Sequence, residues 1–251
     1  MLTIDLNVDL GEGMPDDEAL MPYLSSVNIA CGGHAGDESS MMETVSSANK
    51  YMLAIGAHPS FPDRMNFGRT DMIEKGLDMH ELADSLAFQI KSLEKICEDL
   101  GVKLHHVKAH GALYNRACLD HELALLICEI IRTIDPFLFM YGMGGTEMEQ
   151  AARNSGIHFV REAFADRVYL PNGLLKPRSV NHALIEDPQK AVRQVMQLIQ
   201  HETLVADNGD LIQIKAESIC VHSDSPNALA MAREIHHALQ SQGVIIRPKQ
   251  S

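Results

Sequence analysis

The chain is short of positive charge. Its 21 lysines and arginines face 34 aspartates and glutamates, which leaves −13 at pH 7 with histidine neutral. A nucleic-acid binder needs a basic face to neutralise phosphates, so that class is disfavoured, while a local basic site for an anionic substrate stays compatible. Cysteine is sparse and unpatterned. Cys31, Cys97, Cys118, Cys128 and Cys220 are odd in number and include no C-x-x-C pair. Free thiols in a reducing compartment are therefore expected, not a disulfide framework. No apolar stretch approaches the roughly 20 residues of a membrane-spanning helix. The opening segment Met1–Asn7 alternates like a strand and lacks the basic and apolar regions of a signal peptide, so a cytoplasmic location is expected. Internal repeats, low-complexity stretches and an interdomain linker are missing as well, and so is a Gly-x-Ser-x-Gly elbow. The turn Gly142-Met-Gly-Gly-Thr146 lacks the Lys-Ser/Thr of a Walker loop and reads as a plain strand-to-helix turn.

What the chain does have is alternation. Strand-like runs near residues 3–10, 27–30, 53–57, 105–108, 137–141, 157–162 and 218–221 alternate with helix-like runs near 38–51, 79–100, 121–135, 144–155, 188–200 and 228–240. In the helix over 79–100, Leu82, Leu86, Ile90, Leu93 and Cys97 recur at three and four residues and form one apolar stripe. Asp37 and Asp120 stand where N-caps belong, and Ser223–Pro226 is placed to cap the last helix. Ala206–Asp210 reads as the turn of a hairpin insert. Strict β-α alternation implies a parallel sheet with right-handed crossovers. About seven units with a polar cluster after nearly every strand predict an α/β fold, a single (β/α)-barrel domain over residues 1–251, seven-stranded and incomplete.

The polar clusters carry the chemistry. Asp5, Asn7 and Asp9 alternate with Leu6, Val8 and Leu10, and in a barrel that polar face points inward, where carboxylates need partners. Asp9 and Glu12 then lie at the rim. Four histidines, His34, His58, His110 and His222, each follow a short apolar run, which predicts that four imidazoles meet at one carboxyl-end rim. Lys108 and His110 share a strand face, and a lysine directed into a barrel is poor core filler; Tyr114 adds a hydroxyl nearby. Glu162 and Asp166 with Arg167 suit proton transfer on a polar substrate, with a loop salt-bridge cluster as the bland alternative. His222 and Asp224 pair as an oriented acid–base couple or as metal ligands. Arg64 and Arg69 sit in a loop with Asp63 and Asp71, either as surface ion pairs or as a clamp for carboxylate or phosphate.

The ordered set Asp5-Leu-Asn-x-Asp-x-Gly-Glu12, Asn28-Ile-Ala-Cys-Gly-x-His-Ala-Gly-Asp37, Gly56-Ala-His-Pro-Ser-x-Pro-Asp63, Phe67-Gly-Arg69, His106-Val-Lys-x-His-Gly-Ala-Leu-Tyr-Asn115, Glu162-Ala-Phe-Ala-Asp-Arg167 and Cys220-Val-His-x-Asp224 resembles the group of 5-oxoprolinase A subunits, also called the lactam utilisation LamB/YcsF family. The motifs span nearly the whole chain. The resemblance implies a bacterial, cytoplasmic hydrolase component that works with subunits B and C and uses ATP, as ATP–Mg²⁺, to open the lactam of 5-oxo-L-proline to L-glutamate. It also implies a seven-stranded barrel similar to that of polysaccharide deacetylases. Three positions depart from the family pattern: Gly33, Ala109 and Ser223 stand where Phe, Pro and Gly are usual.

On this reading the catalytic candidates are Asp9, Glu12, His34, Lys108, His110, Glu162, Asp166, His222 and Asp224, with Asp9 or His222 activating water, and Arg69, Arg167 and Lys108 meeting the phosphates. Two other classes compete. One is a stand-alone metal-dependent amide or ester deacetylase-like hydrolase with His58, His110 and Asp9 as ligands. The other is a non-catalytic subunit that binds a lactam or carboxylate ligand, which the number of titratable groups disfavours.

Overall fold

The computed structural model describes residues 2–250. Ten strands are present: β1 (Thr3–Leu10), β2 (Ser26–Ala30), β3 (Ala54–His58), β4 (Leu104–Lys108), β5 (Phe139–Met143), β6 (His158–Phe164), β7 (Thr203–Val205), β8 (Leu211–Gln213), β9 (Ser218–His222) and β10 (Ile245–Ile246). The helices are α1 (Asp17–Leu20), α2 (Glu38–Lys50), α3 (Met79–Asp99), α4 (Gly111–Ala117), α5 (His121–Ile134), α6 (Glu147–Ser155), α7 (Pro188–His201) and α8 (Ala228–Ser241).

Seven parallel strands run in the order β1-β2-β3-β4-β5-β6-β9, and β9 pairs back onto β1. The barrel is thus incomplete only in having seven strands, because the ring itself closes. The short β10 extends the start of β1, pairing Thr3 with Ile245. The antiparallel β7–β8 hairpin is the insert expected around Ala206–Asp210.

The alternation in β1 sorts its side chains between two environments. Leu6, Val8 and Leu10 pack outward in the apolar core beneath the helices. Asp5, Asn7 and Asp9 are also buried, at 1%, 0% and 3% exposure, which excludes a solvated outer face. The α3 stripe falls as the periodicity demands, with Leu82, Leu86, Ile90, Leu93 and Cys97 all buried against the sheet. Each such aliphatic side chain contributes roughly 1.5–3 kcal/mol of transfer free energy. Helix starts are fixed by carboxylate caps. The Asp37 side chain accepts from Ser40 N–H in a capping box on α2, and Asp120 accepts from Leu123 N–H on α5.

Several boundaries move from their sequence positions. The strand expected at 137–141 starts at Phe139, because Asp135 Oδ1 accepts the Phe137 N–H in a turn around Pro136, leaving Phe137 72% exposed. The strands expected to end at Ala57, Glu162 and Val221 continue to His58, Phe164 and His222, drawn on by ladder pairing with their neighbours. The helix expected from Gly144 starts at Glu147, after Gly145 at φ +74°. Helix α4 has no counterpart in the sequence reading; it opens on Gly111 at φ +57°. Ser223–Pro226 does not cap α8: the N-cap is Asn227 at φ 66° without a side-chain cap bond, and the Ser225 hydroxyl is spent on Asp166. Among the described residues the five cysteines are free and buried, and no helix is long and apolar enough to cross a membrane.

Candidate active site

The barrel interior is a polar column. At its base Asp5 accepts hydrogen bonds from the hydroxyls of Ser25, Ser26 and Ser218. One layer up, Asn28 Nδ2 donates to Asn7 Oδ1 and to Asp9 Oδ1, each at 2.8 Å, while His106 Nε2 contacts Asn28 Oδ1 at 2.7 Å. Sequence reasoning assigns no role to Asn28 or His106. Their signal is position alone, on the inward face beside the chosen residues. Strand register explains the meeting, since Asp9 lies between Asn28 of β2 and His222 of β9.

Above this layer sits Lys108, 2% exposed. Its Nζ is 2.9 Å from Asp9 Oδ1, 2.9 Å from Glu162 Oε1 and 3.0 Å from Cys220 Sγ. Tyr114 donates its hydroxyl to Glu162 Oε2 at 3.0 Å. Burial pulls the lysine pKa down, but the charges of Asp9, Cys220 and Glu162 outweigh it and hold Lys108 well above its usual value. Burial pushes Asp9 up, yet His58 and Lys108 bring it well below the ordinary carboxylate range. The group is therefore an ion-paired core, and Lys108 is already occupied by two carboxylates where phosphate contact was expected.

At the mouth the four imidazoles divide. His34, His58 and His110 cluster around Glu12: the His34 and His110 rings stack at 3.6 Å, and His58 lies edge-on to His110 at 4.9 Å. His34 Nε2 is 2.9 Å from Glu12 Oε1. Burial, and next the neighbouring His58, lower His34 to about 2; burial, and then His34 and His58, carry His110 well below its usual value. Burial and the charges of Asp9 and Asp224 raise Glu12. The cluster needs close backbone approach. Gly68 (φ +64°) and Gly111 (φ +57°) meet where Ala112 N–H donates to Gly68 O, and a Cβ on Gly111 would lie 2.6 Å from that oxygen.

His222, the fourth, stands apart. Its ring stacks on Phe164 at 5.2 Å, and its Nδ1 is 2.9 Å from Asp166 Oδ1. The expected His222–Asp224 couple is replaced, because Asp224 turns toward Arg69 and Arg178, whose NH1 is 2.7 Å away. Burial raises Asp166, but the charge and hydrogen bond of His222 and the bond from Ser225 prevail and set it at about 2. The expected grouping of Glu162, Asp166 and Arg167 is likewise split: Glu162 faces Lys108, Asp166 faces His222, and Arg167 NH2 donates to Lys176 O at 2.7 Å. Burial, and then Arg178, lower Arg167 to about 10.

Arg64 holds the carbonyls of Gly32 and Gly36, and Asp71 pairs with Arg116, so the Arg64/Arg69/Asp63/Asp71 quartet is not one clamp. Ser60 donates its hydroxyl to Phe61 O. The Gly145 N–H of the glycine turn is taken by Glu149.

These groups surround a cavity of about 940 Å³ lined by Asp9, Glu12, His58, Lys108, His110, Tyr114, Phe164, His222 and Asp224, with Arg69, Arg167 and Arg178 in its wall. In sequence Arg178 ends the run that continues from Arg161–Arg167 through Tyr169, in a proline-bounded loop and with no role of its own assigned. Among the described residues two donor groups gather within reach of one ion: Glu12, His34, His58 and His110, and Asp9, Cys220 and His222. In the second, Lys108 already sits against Asp9 and Cys220, so the positive charge is supplied.

The LamB/YcsF family model matches residues 4–251. The chain belongs to the LamB/YcsF family. A relative from Haemophilus influenzae (strain PittEE), named as the A subunit of 5-oxoprolinase, is 42% identical over 246 residues, covering 98% of this chain and 99% of that one. A solved structure of a lactam utilization protein from Thermus thermophilus has a TM-score of 0.90 at 37% identity, covering 98% of this chain and 99% of that one. A family 4 carbohydrate esterase from Streptomyces lividans shares the fold, with a TM-score of 0.50 at 12% identity over 97% of this chain and 91% of that one.

Within the LamB/YcsF pattern, the departure at Gly33 has a visible local counterpart. A Cβ there would lie 2.4 Å from Gln89 Oε1 and 2.4 Å from Ser60 Oγ. Gln89 of α3 is tied to both backbone groups of Ser60, at 3.0 Å each, and occupies the space a side chain at position 33 would need. Ala109 is buried with no polar consequence, and nothing in the structure explains Ser223, whose hydroxyl has no hydrogen-bond partner among the described residues.

Proposed function

We propose that this chain is the A subunit of an ATP-dependent 5-oxoprolinase, which hydrolyses the lactam of 5-oxo-L-proline to L-glutamate together with subunits B and C. The observation that carries the reading is the Asp9–Lys108–Glu162 group at the floor of a cavity whose wall is arginine-rich, in a chain of the LamB/YcsF family. A cavity of about 940 Å³ is in the range of small-molecule and nucleotide sites.

A lactam carbonyl is a poor electrophile. Attack of its oxygen on the γ-phosphorus of ATP forms an O–P bond and releases ADP. Water then adds to the activated carbon, the ring C–N bond breaks with a proton passing to nitrogen, and a second water releases phosphate. In this scheme His222 takes the proton of the attacking water. Its Nδ1–H is held by Asp166, which leaves Nε2 as the basic atom. Asp9 is less free for that task, since one of its oxygens serves Lys108 and Asn28. Lys108 fixes the two carboxylates and lends positive charge to the developing oxyanion. Arg69, Arg167 and Arg178 are the cations for phosphate.

The test is glutamate release from 5-oxo-L-proline, with and without ATP–Mg²⁺, by the chain alone and with subunits B and C. ATP-dependent glutamate that requires the three-part mixture supports the reading. No glutamate from folded components under any of these conditions overturns it.

A further inference from the structure

The imidazoles of His58 and His110 are each fixed by a backbone carbonyl. His58 Nδ1 is 2.8 Å from Lys108 O, and His110 Nε2 is 3.0 Å from Phe67 O. A carbonyl only accepts, so both of these nitrogens carry the proton, and in a neutral ring the other nitrogen then presents a lone pair. Those two remaining atoms, His58 Nε2 and His110 Nδ1, face each other at 3.0 Å. Glu12 Oε1 lies 3.3 Å from His110 Nδ1, 3.9 Å from His58 Nε2 and 2.9 Å from His34 Nε2. With both rings neutral neither offers the other a proton, and Asp9 Oδ2, 3.4 Å from His58 Nε2, adds a further acceptor, so the small volume these atoms share favours a cation.

We infer that Glu12, His58 and His110 form a binding site for one divalent transition-metal ion of the zinc class, with His34 held behind Glu12, its Nε2 2.9 Å from Oε1. The geometry suits the assignment. Nitrogen and oxygen ligands at about 2.0–2.1 Å from a tetrahedral ion stand about 3.3 Å from one another, and the distances among Glu12 Oε1, His58 Nε2 and His110 Nδ1, 3.0, 3.3 and 3.9 Å, bracket that spacing. The His34 ring lies flat on His110 at 3.6 Å, so these two rings do not aim at the same ion. Two imidazoles and one carboxylate suit a borderline ion better than calcium or magnesium, which prefer all-oxygen sets. Carbonyl-anchored rings are the usual outer support of metal-binding histidines, since they fix tautomer and ring orientation together.

The site also has an approach. Glu12, His58 and His110 line the cavity, while His34 closes the far side. An ion there presents its open side to the cavity, where water or a substrate carbonyl oxygen completes the coordination. That last role rests on the proposed function; binding of the ion does not.

The experiment loads the full chain, stripped with chelator and dialysed, with zinc, and measures bound metal together with the X-ray absorption of the zinc-loaded protein. About one tightly held equivalent, with scattering from two imidazoles, is expected. Glu12→Gln and His110→Gln should each weaken binding at least about tenfold, while His237→Gln, on the exposed face of α8, leaves it unchanged. Folding of each variant is followed by circular dichroism. Wild-type protein that retains no zinc, or zinc surrounded by oxygen alone, overturns the site. So does unchanged binding in folded Glu12→Gln and His110→Gln. If those variants fail to fold, the wild-type absorption spectrum decides. None of these readouts depends on lactam hydrolysis, so loss of the proposed activity and loss of the metal site are told apart.

Discussion

Lys108 and Asp9 form an ion pair sealed inside the barrel, with Nζ 2.9 Å from Oδ1 and both side chains under 5% exposed. Glu162 stands at an equal distance from the same ammonium, so a single cation balances two buried carboxylates. Removing it leaves two anions facing each other without water. Lys108→Ala is expected to lower unfolding free energy by about 3–5 kcal/mol, measured by urea denaturation at neutral pH. Wild-type stability in that variant would remove the ion-paired core from the account.

Asp166 provides a pH signature. Burial works against its charged form, but His222 and Ser225 bring the carboxyl from 3.8 down to about 2. A depressed carboxylate contributes stability that is complete above its unfolded value and is lost as pH falls through the folded one. The window is therefore about pH 4 down to about pH 2, and the shift is worth about 2 kcal/mol. Asp166→Asn should show a shallower loss of stability across that window than the wild type. Parallel curves would show that the pair contributes nothing differential.

His222 and Asp166 also make a kinetic prediction. In the assembled three-subunit enzyme, His222→Ala is expected to lower kcat for glutamate release by about 10²–10⁴. Asp166→Asn, which keeps the ring but misorients it, should fall between that variant and the wild type, and the acidic limb of the kcat profile should move. Full activity in His222→Ala would shift the base to Asp9 and call for Asp9→Asn.

Gly33 tests packing. The Cβ of Gly33→Ala must displace Gln89 from Ser60, at a cost of about 1–3 kcal/mol, read as a lower denaturant midpoint. The double variant with Gln89→Ala should recover part of the loss, because the obstructing amide is gone. Additive costs in the two variants would show that the contact is not shared.

Local pattern is enough for much of this. Period-two alternation in Thr3–Leu10 decides which side chains share a face, and the three-and-four spacing over Met79–Asp99 decides which stripe packs inward. The aspartates that cap α2 and α5 act within a few residues, so they too are legible. Helix α4 is not, since its opening glycine looks the same in sequence whether it starts a helix or a loop.

Partnership comes from the closed ring. Asp9 and Lys108 are 99 residues apart, His222 and Asp166 are 56 apart, and Arg178 and Asp224 are 46 apart. Each pair depends on strand register and loop course. Residue pattern alone dictates that carboxylates and histidines gather at the carboxyl ends of the strands. It does not dictate that three of the histidines surround Glu12 while the fourth leans on Asp166. A side chain's facing follows from backbone geometry within its own strand, whereas its partner follows from which strand lies beside it and at what height.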